Sequence, residues 1–286
     1  MKHFYCIIAL LTCFTFNGFG QSVKSLKIVS WNVFLRPAIL NDNQMGRVNN
    51  ISKYLLSTEA DVLVLQEVFH KKARKSLLKK LASSYRFQSK IGKRNFFGVS
   101  SGVVILSKYK ITEEHQLAFK KAKGSDKMAK KGAISTIIQF FNKRIQIIGT
   151  HLQSGSGLER KNIRKSQIKQ LKSLEDTTTL TSLYVGDFNI ENASEPYEEM
   201  MLILGCVNNE INGENKTTSN FSDQELFPTE GKSKWIDFIL LKKWRAKSKK
   251  KVRFKNSKIE CPKFMKGGRY SRLSDHNLIH SSLIIE

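Results

Sequence analysis

Asp61-Val62-Leu63-Val64-Leu65-Gln66-Glu67 is a nearly continuous apolar run that ends on a carboxylate. A strand with one wet face alternates apolar and polar residues, so an unbroken run suits a strand covered on both faces. Glu67 then stands where the strand stops. The same order recurs along the chain. Leu26-Lys27-Ile28-Val29-Ser30-Trp31-Asn32-Val33 reads as a strand that ends in polar residues, with Asn32 at its stop. Further strands are expected over 102–107, 133–141 and 144–151, the last closing on His151. Residues 182–185 run into Gly186-Asp187-Phe188-Asn189, Trp235-Ile236-Asp237 opens an apolar run to Leu241, and Asp275-His276 precedes the last run, 278–285. Helical stretches are expected over 47–56 and 158–174, and loops over 154–157 and 208–229, where Ser, Gly, Asn and Thr collect. Strands mixed with helices, with polar residues gathering at strand ends, predict an α/β sandwich: two packed sheets flanked by helices, with a site along one rim.

The chain has 286 residues, 40% of them hydrophobic and 10% aromatic, which is enough for one compact domain with a core that needs no disulfide staples. Lys2 and His3, the apolar run from Phe4 to Phe16 and the small residues Gly18 and Gly20 have the order of a secretory leader. We expect a leader over 1–20, a single catalytic domain over 21–286 and export from the cell. Of the four cysteines only Cys206 and Cys261 then remain, either as a disulfide or as two small apolar side chains. The formal charge is +25. Such a surface attracts polyanions, nucleic acid and anionic membrane alike, because long-range attraction is not chemically selective.

Taken singly, a carboxylate after an apolar run is a turn or cap residue, and a lone histidine is a satisfied core or surface group. The set carries more weight: Asn32, Glu67, His151, Asp187, Asn189, Asp237, Asp275 and His276 all fall at strand ends and all suit one task. Oxygen ligands without thiolates or clustered histidines select a hard cation such as Mg²⁺. Glu67 is the natural principal ligand and Asn32 adds a neutral oxygen. Phosphodiester hydrolysis then needs a general base, and Asp275-His276 offers a histidine beside a carboxylate. His151 can donate to a phosphoryl oxygen, Asp187 and Asn189 can project from one turn, and Asp237 can orient a histidine ring.

Ser30-Trp31-Asn32-Val33, Leu65-Gln66-Glu67-Val68, Gly149-Thr150-His151-Leu152, Val185-Gly186-Asp187-Phe188-Asn189, Trp235-Ile236-Asp237-Phe238-Ile239 and Ser274-Asp275-His276 resemble, in order, the motif series of the endonuclease/exonuclease/phosphatase (deoxyribonuclease-I-like) superfamily. The resemblance implies a four-layer α/β/β/α sandwich, a Mg²⁺, Mn²⁺ or Co²⁺ ion on Glu67 and Asn32, and His276 as general base. It leaves room for a second ion near Asp275 and His276. Ser101-Gly102-Val103-Val104-Ile105-Leu106-Ser107-Lys108 and the Gly124–Gly132 stretch are similar to bacterial neutral sphingomyelinases, where an Asp precedes a Lys-Gly pair by five residues; Asp126 and Lys131 match that spacing. Lys131 could also offer positive charge to a phosphate. Phe264 and Met265, flanked by lysines, occupy the place of that family's membrane-entering hairpin but lack its tryptophan. The implied activity is hydrolysis of sphingomyelin to ceramide and phosphocholine by a monomer working peripherally on a membrane surface; the alternative is a secreted metal-dependent nuclease.

Overall fold

Two six-stranded sheets pack face to face in the computed structural model, which describes residues 24–92, 100–219, 232–243, 252–266 and 269–286. The leader expected over 1–20 lies outside the described residues, as does part of the expected loop over 208–229. In chain order the elements are β1 (Lys24–Leu35), α1 (Gln44–Ser57), β2 (Val62–Val68), α2 (Lys71–Leu81), β3 (Phe87–Gln88), β4 (Val104–Ser107), β5 (Ile111–Ala118), β6 (Gly132–Phe140), β7 (Lys143–His151), α3 (Leu158–Lys172), β8 (Thr181–Asp187), α4 (Glu195–Leu204), β9 (Cys206–Val207), β10 (Asp237–Lys242), β11 (Val252–Glu260), β12 (Lys263–Lys266), β13 (Arg269–Arg272) and β14 (Leu278–Ile285). One sheet runs β11-β14-β1-β2-β4-β3 and the other β5-β6-β7-β8-β10-β9, while β12 and β13 form a separate hairpin.

Alternation along each strand sorts its side chains into two cores. Ile28, Val62, Val64 and Ile105 of the first sheet meet Ile147, Leu183, Val185 and Ile239 of the second between the sheets. Their neighbours Val29, Trp31, Leu63 and Leu65 face outward onto α1 and α2. On the far side, Ile148, Tyr184, Phe238 and Leu240 pack beneath α3 and α4. Both faces of β2 are therefore dry, which is why its sequence does not alternate. The layers run α/β/β/α, as expected.

Two helices had no clear signal in the sequence. α2 reads KKARKSLLKKL, so its lysines mask an apolar stripe of Ala73, Leu77 and Leu81 at spacings of four, and its cap is the imidazole of His70, whose Nδ1 accepts from Ala73 N at 3.1 Å. α4 is bounded by Ser194, whose hydroxyl accepts from Tyr197 N, and by Gly205 in a left-handed C-cap. β10 begins at Asp237, two residues later than expected, because Trp235 and Ile236 lie in the loop before it. Cys206 and Cys261 do not form a disulfide with each other.

Candidate active site where the two sheets meet

The rows of side chains that fill the inter-sheet core continue to one rim and there turn polar. On β7 the row Ile145, Ile147, Gly149 ends at His151; on β8, Leu183 and Val185 lead to Asp187; on β10, Leu241 and Ile239 lead back to Asp237. Register sets these three side by side, with His151 opposite Asp187 and Asp187 opposite Asp237. Across the gap, Ser30 and Asn32 of β1 and Gln66 of β2 occupy the same inner positions, and all three are buried. Gly186 makes the close approach of β8 to β7 feasible: its φ is 143°, and a Cβ there would stand 2.1 Å from Thr150 O. In the irregular pairing between Asn32/Gln66 and Leu35/Val68, and again just after β8, the backbone turns left-handed at Phe34, Glu67 and Asn189, with φ of 51°, 56° and 53°. Such conformations cost a non-glycine residue about 1–3 kcal/mol and cluster at functional sites.

The two sheets touch through polar atoms at this rim. Asn32 Nδ2 donates to Asp187 Oδ2 at 3.3 Å, and its Oδ1 accepts from Phe34 N at 3.1 Å. His276 Nδ1 lies 2.8 Å from Asp237 Oδ2, and its Nε2 lies 3.9 Å from Asp187 Oδ2. A carboxylate accepts, so Nδ1 carries the proton and Nε2 is left to act as a base. Burial disfavours protonated His276, but the Asp237 and Asp275 carboxylates outweigh it and hold the ring well above the ordinary histidine value. Burial and the neighbouring Asp237 push Asp187 up to about 7. Asn189 N donates to Asp187 Oδ1 at 2.9 Å while its Nδ2 donates to Leu152 O at 3.3 Å.

Asp126 and Lys131 join this centre from the segment before β6. Lys131 Nζ donates to Leu152 O at 2.9 Å and sits 3.0 Å from Asp126 Oδ2 and 2.9 Å from His151 Nε2. Asp126 Oδ2 in turn accepts from Ser154 N and Oγ at 2.7 and 3.0 Å. His151 Nε2 thus stands between the Lys131 ammonium and Asp187 Oδ2, 3.3 Å away, while its Nδ1 is buried and has no partner. Burial, with Lys131 and His276 adding like charge, holds His151 well below the usual histidine range, consistent with a neutral ring.

Glu67 is the residue whose surroundings ask for a cation. Its carboxylate is buried, Oε2 has no hydrogen-bond partner, and burial followed by the like charge of Asp275 raises its pKa. Asp275 is raised too, chiefly by burial. A buried carboxylate oxygen left without a donor is costly unless something positive reaches it, so Glu67 with Asn32 and Asp275 fits a hard divalent ion. Asp187, Asp237 and His276 also bring ligand-type atoms within 4.8 Å of one another. There the 2.8 Å bond engages Asp237 Oδ2 and His276 Nδ1, while Asp237 Oδ1 is buried without a partner.

Four supporting residues had no role that the sequence could assign. Arg47 of α1 is buried and donates to Val33 O at 3.1 Å, to Leu273 O at 2.7 Å and to Phe34 O, tying the end of β1 to the loop that carries Asp275 and His276. Burial lowers it to about 10. Trp31 Nε1 donates to His276 O at 3.0 Å, and Ser274 Oγ donates to Asn32 O at 2.6 Å. Gln66 Nε2 donates to Ser30 Oγ at 3.3 Å, linking the two inner strands behind Asn32. In the β12–β13 hairpin, Phe264 is half-buried against the cluster around Trp31, whereas Met265 is 57% exposed.

Comparison with known proteins gives one consistent result. The endonuclease/exonuclease/phosphatase family model matches residues 29–276. A phospholipase C of Staphylococcus aureus is 29% identical over 245 residues, which are 76% of this chain and 74% of that protein. A sphingomyelinase C of Bacillus cereus is 30% identical over 220 residues, 70% of this chain and 62% of that protein. Among solved structures, a Staphylococcus aureus beta toxin superposes with a TM-score of 0.77 at 26% identity, covering 90% of this chain and 99% of the other. A doubly substituted mutant of beta toxin from the same organism, solved with bound magnesium ions, gives 0.75 at 25% identity over 90% and 99% of the two chains.

Proposed function

The chain belongs to the endonuclease/exonuclease/phosphatase family, and from that premise we propose that it is a Mg²⁺-dependent phosphodiesterase that acts outside the cell and splits sphingomyelin into ceramide and phosphocholine. One observation carries the reading: Glu67, with a buried Oε2 that has no hydrogen-bond partner, faces an oriented Asp237–His276 pair and a neutral His151 on the other side of the rim. That is the equipment for holding a phosphodiester between a cation and a base. The lipid assignment draws on the sphingomyelinase C and phospholipase C relatives, and on the apolar Met265 beside the lysines of the hairpin.

In this reading Glu67 and Asn32, with Asp275 nearby, would hold the divalent ion, which would supply charge neutralisation and polarise a phosphoryl oxygen. His276 takes a proton from the attacking water through Nε2 as the water oxygen bonds to phosphorus, and Asp237 steadies the imidazolium that forms. The bond from phosphorus to the ceramide oxygen breaks, that oxygen takes a proton from solvent water to leave as the alcohol, and His276 returns its proton to solvent. His151 and Asn189 stand beside the developing charge and stabilise it by donating hydrogen bonds. Lys131, held by Asp126, fixes the position of the His151 ring.

The test is a paired assay on the full chain: release of phosphocholine from sphingomyelin vesicles and cleavage of DNA, each with Mg²⁺ and with chelator. Phosphocholine release that requires Mg²⁺ and is lost in Glu67→Ala and His276→Ala supports the proposal. Degraded DNA with intact vesicles would refute the substrate assignment, and full lipid hydrolysis in chelator would refute the mechanism.

A further inference from the structure

Beside the catalytic rim, the segment leading into β6 and the helix α3 enclose a cavity of about 740 Å³. Lys120, Lys121, Lys127 and Lys130 line it, all four are exposed, and none is ion-paired among the described residues. The one carboxylate among the lining residues, Glu159, is engaged by Lys123. Lys131 forms part of the same wall, but its ammonium is turned to Asp126 and His151 and belongs to the catalytic centre.

These lysines share one concavity, and the backbone of the first two is fixed by side chains. Gln167 Nε2 donates to Lys121 O at 3.1 Å, Lys120 N donates to Gln170 Oε1 at 3.3 Å, and Lys123 N donates to Gln153 Oε1 at 2.7 Å, so α3 and the end of β7 hold the backbone that carries them. Four like charges around one concavity repel, and within the described chain nothing answers them. Asn162 and Ser166, four residues apart on α3, add neutral donors to the opposite wall. The volume lies within the range of a small-ligand site and exceeds what one phosphate fills.

We infer that this cavity binds a ligand carrying two or more phosphate-type negative charges, at a site separate from the catalytic phosphate and independent of which ester the enzyme cleaves. That chemistry has two sources, a soluble polyphosphate and a phosphomonoester lipid headgroup.

The experiment measures, on the full chain, calorimetric binding of pyrophosphate and co-sedimentation with phosphatidylcholine vesicles containing or lacking phosphatidic acid. It compares the double variant Lys127→Gln/Lys130→Gln with Lys71→Gln/Lys72→Gln on the exposed start of α2, which removes the same charge elsewhere. Loss of two charge-assisted contacts weakens binding roughly tenfold to a hundredfold in the first pair and leaves the second pair like wild type. Pyrophosphate binding alone assigns a soluble ligand, and phosphatidic acid dependence alone assigns a headgroup. Equal weakening by both pairs, or binding of duplex DNA with neither phosphate probe bound, overturns the inference. Basal phosphocholine release and the thermal melt check that the variants are folded; if the first pair is not, Lys120→Gln/Lys121→Gln tests the same wall.

Discussion

Replacing Asp237 by Asn removes one charge and almost no volume from the centre of the site, and its consequence follows from a single 2.8 Å contact. Asp237 Oδ2 accepts from His276 Nδ1 in a buried setting. Such charge-assisted bonds are worth about 1.5–3 kcal/mol net. The substituted amide can instead turn its N–H toward the ring, which makes Nδ1 an acceptor and moves the proton to Nε2, where the base is needed. Losing both the stabilised imidazolium and the right tautomer removes about 3–5 kcal/mol of transition-state stabilisation, which is roughly a 10²–10⁴-fold drop in kcat. The pH profile moves as well. A base must be unprotonated, so the acidic limb of activity follows His276, which Asp237 and Asp275 hold above the ordinary 6.5 against the opposing effect of burial. Without the Asp237 charge the ring protonates less readily, and the acidic limb shifts to lower pH. Initial rates of phosphocholine release at saturating vesicle concentration across pH measure both effects. An Asp237→Asn variant with wild-type kcat, or one whose acidic limb stays put or moves upward, would refute the role given to this pair.

Glu67→Gln should separate metal binding from catalysis by calorimetry alone. The folded protein raises Glu67 above 4.5, mainly by burial and then by Asp275, so the group costs stability as pH rises from that value toward neutrality, and added Mg²⁺ recovers it. At neutral pH in chelator the Gln variant should melt a few degrees above wild type, and the upward shift produced by Mg²⁺ in wild type should vanish. Arg47→Met should cost about 3–5 kcal/mol in urea unfolding, because three buried carbonyls lose their donor; a loss below about 1 kcal/mol would show that the clamp contributes little.

Strand ends were legible because each inner row of β7, β8 and β10 is apolar until its last member, so a polar residue there interrupts a strict period of two. The loop before β14, with Asp275 and His276, was readable for the same reason in reverse. Asp126 and Lys131 were visible only through family likeness, since nothing in a lysine-rich stretch distinguishes the one ammonium that is buried. Arg47 left no trace at all: its partners are backbone carbonyls, which have no side-chain signature, and an arginine at the start of an amphipathic helix reads as solvated. α2 was hidden by its lysines, although its stripe at 73, 77 and 81 is regular. The fate of Cys206 and Cys261 depended on distance in the fold, which sequence spacing does not encode.

The row formed by His151, Asp187 and Asp237 has a consequence for how the protein acquires activity. These residues lie on three adjacent strands and share one face only because β7 with β8, and β8 with β10, pair in a single register. A slip of one residue in either ladder would turn a whole strand over, sending its polar terminus outward and an aromatic such as Phe188 or Phe238 inward. A renaturing chain can therefore regain strand content, and even a collapsed interior, while remaining inert. Hydrolysis would recover last, as the reporter that both ladders have found their alignment.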